Sequence, residues 1–153
     1  MPYINAKMFY ILLSKLIPKD QMFLMGSRRF GYSIWNSDYD ICILDTPENQ
    51  FTLVKCGVIS FENESGYTPT GLHSRVEGFG DIILEKSEEK FNKRKIQHEK
   101  LKEALEKKGN SLSELLCYMK LGGIIENKDK KGVGTGKYIY RILCSLLLNE
   151  EAV

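Results

Sequence analysis

Residues 86–108 run 23 positions without a glycine or proline and carry nine basic and five acidic side chains. Upstream, between Met22 and Leu84, apolar residues come instead in short runs separated by Gly, Pro, Ser and Asn. Such a chain has to fold as short strands followed by a long, mostly solvated helix, because the strand period of two and the helix period of 3.6 expose different faces. The contrast predicts an α/β (α+β) class with the sheet in the N-terminal half. At 153 residues, a single domain over 1–153 is expected, with a sheet core over 1–85 and a helical part over 86–153.

Residues 4–17 carry apolar side chains at 4, 8, 11, 12 and 16, with Asn5 as N-cap and Pro18 as stop, which predicts an amphipathic helix. Met22–Met25 and Tyr39–Leu44 read as strands flanking a polar stretch. Residues 51–61 read as one or two further strands around Gly57, and 62–71 as a loop. Residues 75–84 return to strand character, with Gly78 and Gly80 marking a bend or a close backbone approach. The charged helix has a thin apolar stripe at 91, 96, 101 and 105, ended by Gly109 and Asn110. Ser111 and Glu114 form a capping-box signature for a short helix to about Leu121. A basic, Gly-rich loop over 127–136 leads to a last apolar helix over 137–148.

Composition narrows the function classes. A net charge of +2 announces no bulk polyanion partner. Cys42, Cys56, Cys117 and Cys144 are scattered without a C-x-x-C pair, which predicts a reduced, cytoplasmic chain and neither a disulfide framework nor a zinc module. Lys7 and Lys15 interrupt the apolar start, so no signal peptide is expected, and no apolar run approaches the roughly 18–20 residues of a membrane span.

One constellation carries chemistry. Asp38 and Asp40 lie two apart at the start of a predicted strand, so both project to one face, with Tyr39 and Ile41 on the other. Like charges side by side call for a positive counter-charge, and a hard cation such as Mg²⁺ suits carboxylate oxygens. Twelve residues before Asp38, Gly26 permits a phosphate to approach the backbone, and Ser27 can donate its hydroxyl and open a helix.

Gly26-Ser27, ten intervening residues, then Asp38-Tyr39-Asp40 resembles the G-S-x10-D-x-D signature of the polymerase-β-like nucleotidyltransferase superfamily, particularly its minimal members. Gly31 and Ser37 strengthen the likeness, which covers roughly residues 20 to 85. The overall layout is also similar to small nucleotidyltransferase-like proteins of bacteriophages, which would place the chain in the host cytoplasm. The resemblance implies a minimal nucleotidyltransferase fold, a mixed sheet of four or five strands with an N-terminal helix and C-terminal helices. It implies transfer of a nucleoside monophosphate from an NTP to an acceptor hydroxyl, with pyrophosphate release. Asp38 and Asp40, joined by a third carboxylate, would hold two Mg²⁺ ions, a pair about 3.5–4 Å apart in such sites. Asp81 before Ile82-Ile83-Leu84 is favoured as the third acid. Glu77 shares its face if the strand is regular, and both remain open. Gly26 and Ser27 would bind the β,γ-phosphates, with Arg28 or Arg29 adding charge.

Other features have plainer readings. Gly132 to Lys137 lacks the Gly and the Ser/Thr of a Walker A motif and reads as a turn. His73 in a loop and His98 on the charged helix read as surface residues, although His73 can line the site. Trp35, just before the carboxylates, offers a stacking surface for a base, whereas Tyr39 belongs in the core. The acceptor is expected to be a small molecule or protein ahead of RNA. A catalytically silent nucleotide- or partner-binding module, antitoxin-like or a counter-defence factor, is the first alternative. RNA binding through the basic 86–108 helix is the second. A homodimer or a toxin-type partner remains open.

Overall fold

The strands are β1 (Met22–Met25), β2 (Tyr39–Leu44), β3 (Glu62–Asn63), β4 (Gly71–Val76) and β5 (Gly80–Glu85), in one mixed sheet ordered β1-β2-β5-β4-β3. The computed structural model describes residues 5–35, 37–58, 61–63, 71–109, 111–121 and 136–153. The Gly-rich loop, with its Walker-like Gly132 to Lys137 stretch, lies outside them except at its last residues. β2 and β5 run parallel at the centre, and the other pairings are antiparallel. The class is α/β, as the sequence predicts. The chain divides into two compact units, Met1–Met25 with Asp38–Asn92, and Gly26–Ser37 with Lys93–Val153. The division falls at Asn92 rather than at 85, and residues 26–37 belong with the helices.

In the first unit, helix α1 (Ala6–Leu16) starts where Asn5 Oδ1 accepts the Met8 N–H at 2.9 Å. Its buried face is not the one that the apolar spacing suggests. Phe9, Leu13 and Ile17 are buried, whereas Met8 and Leu16 are 54% and 51% exposed. The 9, 13, 17 row wins because it carries the one large aromatic that fits edge-on against Phe79, with ring centroids 4.9 Å apart. That row packs with Ile41, Ile43, Leu53, Ile82 and Leu84 on one sheet face. The opposite face carries Phe23, Met25, Cys42 and Ile83, and Phe91 of the long helix that follows packs against it.

Three expectations for this unit are corrected, the first being the loop over 62–71, whose residues 62, 63 and 71 belong to strands β3 and β4. Residues 51–55 of the expected 51–61 strands are instead the end of a helix, α3 (Pro47–Lys55). Thr46 caps it by accepting the Asn49 N–H at 3.1 Å, and Pro47 and Glu48 occupy its first turn. These start signals outweigh the β-propensity of Phe51 and Val54, and the helix buries Asn49 and Leu53 one turn apart. The 75–84 strand is in fact the hairpin β4–β5, with Glu77, Gly78 and Phe79 in the turn. His73 therefore sits on a strand rather than in a loop.

The second unit holds the short helix α2 (Gly26–Phe30), most of α4 (Glu88–Lys107), α5 (Ser111–Leu121), and α6 (Gly136–Leu143) running into a π-helical segment, Cys144–Leu148. Its core is Phe30, Tyr32, Leu101, Leu105, Leu143 and Cys144. The buried stripe of α4 here is partly polar. Arg94, Gln97 and His98 are buried, and Ile96 is exposed. His98 is thus not a surface residue: its ring stacks on Tyr140 and Phe30, with centroids at 4.5 and 5.4 Å. Ser111 Oγ donates to the Lys108 carbonyl at 3.2 Å, so this hydroxyl closes the preceding turn in place of the predicted cap on Glu114. No helix among the described residues is long and apolar enough to cross a membrane.

Candidate active site

Three acids converge on one face of the first unit because of register. Parallel pairing sets Asp40 of β2 beside Asp81 of β5, and paired residues of adjacent strands project to the same side. Asp38 immediately precedes β2, two residues from Asp40. The register depends on Gly80, which pairs with Tyr39 at φ +151°; a Cβ there would lie 1.8 Å from the Tyr39 carbonyl oxygen. Only glycine lets the two strands close at the point where the carboxylates begin.

The neighbouring strand supplies the counter-charges. Antiparallel pairing puts Arg75 opposite Asp81 and His73 opposite Ile83. Arg75 Nη1 donates to Asp38 Oδ2 at 2.7 Å and to Asp81 Oδ2 at 3.2 Å, while His73 Nε2 lies 2.6 Å from Asp81 Oδ1. Asp40 accepts the Asp81 backbone N–H at 3.4 Å. Its carboxyl is pushed up to about 7, first by burial, then by the charges of Asp81 and Asp38.

Glu77, the other candidate third acid, is exposed in the hairpin turn rather than on the strand face. Sequence reasoning left Arg75 without a role and gave His73 only a marginal one. The turn glycines Gly78 and Gly80 were the available signal: a hairpin reversing at 77–79 places Arg75 directly across from Asp81. Tyr39 stacks between Tyr10 and Phe79, at 5.4 and 5.7 Å, so its ring serves packing, as expected.

The second unit holds the remaining candidates. Gly26, at φ +70°, and Ser27 open α2. The Ser27 carbonyl accepts the N–H groups of Gly31 and Tyr32, turning the chain back at the end of that helix. Arg28 reaches the Ser37 carbonyl from Nε and Nη2, at 3.2 and 2.7 Å, bracing the 31–37 loop. Arg29 is partly buried, and its charge helps to push His98 down. Trp35 is 87% exposed on the braced loop.

The acids Asp38, Asp40 and Asp81 fit a magnesium ion by donor chemistry, being hard oxygen ligands gathered at the start of β2 and β5. Among the described residues, however, no group of three or more His, Cys, Asp or Glu side chains is already disposed to hold a metal ion. Arg75 and His73 engage the carboxylate oxygens instead. No protein-family model matches the chain, and no curated protein or solved structure matches it. The functional reading therefore rests on this carboxylate geometry and on the signature in the sequence.

Proposed function

We propose that this protein is a Mg²⁺-dependent nucleotidyltransferase of the minimal polymerase-β-like type. It would move a nucleoside monophosphate from an NTP to an acceptor hydroxyl. The observation that supports the reading best is the parallel register of Asp40 with Asp81, with Asp38 two residues before Asp40. In the reaction, the acceptor hydroxyl gives up its proton to solvent, its oxygen forms a bond to the α-phosphorus, the α–β bridging P–O bond breaks, and pyrophosphate leaves. Magnesium, when bound, supplies the charge that stabilises the attacking and leaving oxygens. Asp38, Asp40 and Asp81 would hold it. His73 and Arg75 orient the Asp81 carboxylate from its two oxygens. Gly26 and Ser27 are assigned to the donor phosphates by the sequence signature alone.

The test incubates the protein with each α-labelled NTP, Mg²⁺ and a cell extract, beside an Asp38→Ala, Asp40→Ala variant verified as folded. Wild-type-only label on a protein, RNA or small molecule is the expected result, with at least roughly a hundredfold loss in the variant. A second reading is favoured by the engagement of the acids by Arg75 and His73: a silent module that binds a nucleotide without turnover. Mg²⁺-dependent NTP binding without label transfer would select it, and neither binding nor transfer would end both readings.

A further inference from the structure

Arg75 engages the oxygens that a metal would need. One nitrogen, Nη1, bridges Asp38 Oδ2 and Asp81 Oδ2, and His73 holds the other oxygen of Asp81. A divalent ion about 2.0–2.1 Å from the same carboxylates would lie against the guanidinium charge, so the two cations compete for them. The Arg75 side chain is 52% exposed, more than the Asp38 and Asp81 carboxylates it bridges at 43% and 33%. Moving it into solvent is therefore less disruptive than moving Asp81, whose backbone the β2–β5 register holds in place.

Resting on the nucleotidyltransferase reading above, we infer that Arg75 is an internal counter-ion of the Asp38–Asp40–Asp81 cluster that a divalent cation must displace in order to bind. The metal-free cluster is then held together by Arg75 rather than splayed by repulsion, and metal entry exchanges one cation for another. This assigns Arg75 a positioning role, distinct from a general contribution of positive charge. Lysine separates the two: it retains the charge, but its single ammonium lacks the rigid fork of the guanidinium.

The experiment measures Mn²⁺ binding to the full chain without nucleotide, by the EPR signal of free Mn²⁺, for wild type, Arg75→Lys and Arg75→Gln. Arg75→Lys is expected to bind about three- to tenfold tighter than wild type, the scale set by two partly exposed ion pairs, and Arg75→Gln tighter still. Affinity for Arg75→Lys equal to or weaker than wild type overturns the inference while leaving the metal site standing. Absence of Mn²⁺ binding in every form overturns the metal reading and the inference with it. A variant-independent readout follows the Arg75 side-chain ¹⁵N resonances of wild type during a Mg²⁺ titration. They are expected to move to the values of a solvated guanidinium as the site saturates; unchanged resonances at saturation overturn the displacement.

Discussion

Two polar clusters, one around Asp40 and one around His98, have opposite electrostatics, and the difference separates the proposed site from a structural network. Around Asp40, burial and two neighbouring carboxylates push the group up to about 7, and the counter-charge comes from a half-exposed arginine. Around His98, burial pushes the imidazole down to about 3 and keeps it neutral. There Tyr140 donates to Gln97 Oε1 at 2.7 Å, Gln97 also takes the Val153 N–H at 2.9 Å, and His98 Nδ1 meets the Arg94 carbonyl at 2.8 Å. The second cluster, although buried Arg94 lies beside it, ties neutral His98, Gln97 and Tyr140 together by hydrogen bonds and ring stacking. The first gathers three carboxylates of like charge around one half-exposed arginine, the kind of perturbed cluster from which the proposed site is argued.

The sharpest way to break the contrast is to disturb one cluster's backbone alone. Gly80→Ala drives a Cβ into the Tyr39 carbonyl and should destabilise the protein by about 3 kcal/mol or more, read as a lower urea midpoint. It should also displace Asp81 from Asp40, so Mn²⁺ binding falls even under conditions where the variant is folded. Full stability in Gly80→Ala would show that the close approach does not govern the register.

A smaller effect tests the neutral cluster. The folded-state value of His98 lies below its unfolded value of 6.5. The stability that it contributes is therefore present above pH 6.5 and lost as pH falls toward 3, because the unfolded chain takes up the proton first. The slope is about 1.4 kcal/mol per pH unit within that window. His98→Phe should flatten the corresponding part of the stability–pH profile in thermal unfolding between pH 7 and 4.5. An unaltered slope would mean that the ring is already accessible to protons.

The smallest effect belongs to Asp40, where the sign reverses. Its folded-state value lies above 3.8, so its contribution is complete below about pH 4 and lost as pH rises through 7. Without divalent metal, Asp40→Asn should be more stable than wild type at pH 8 by about 1 kcal/mol, discounted for partial exposure. The two should converge near pH 4, and Mg²⁺ should narrow the gap at pH 8 by stabilising wild type. A gap independent of pH would remove the case for a charge-strained cluster.

Much of this was legible before folding, because the signals were local. Asn5 before the first helix and Pro18 after it, the apolar runs of β1 and β2, and the uninterrupted stretch of α4 each act through neighbours within a few residues. The spacing of Gly26-Ser27 to Asp38-x-Asp40 is likewise linear and readable. Signals that compete were misjudged. Thr46-Pro47-Glu48 started a helix through residues whose side chains favour strands. In α1, two apolar rows were available, and Met8 and Leu16 were read as core although Phe9 and Leu13 fill it.

What the sequence by itself determined is the set of elements that local propensity and capping dictate, and the pair of carboxylates two residues apart. Which acid joins them was a matter of tertiary structure, since a one-residue change in strand register turns a side chain to the other face. The hairpin at 77–79 and the contact of Gly80 with Tyr39 chose Asp81 over Glu77 and brought Arg75 across from it. The burial of His98 on the most charged helix was decided in the same way, because a long-range ring stack with Tyr140 supplies an energy that no local pattern encodes.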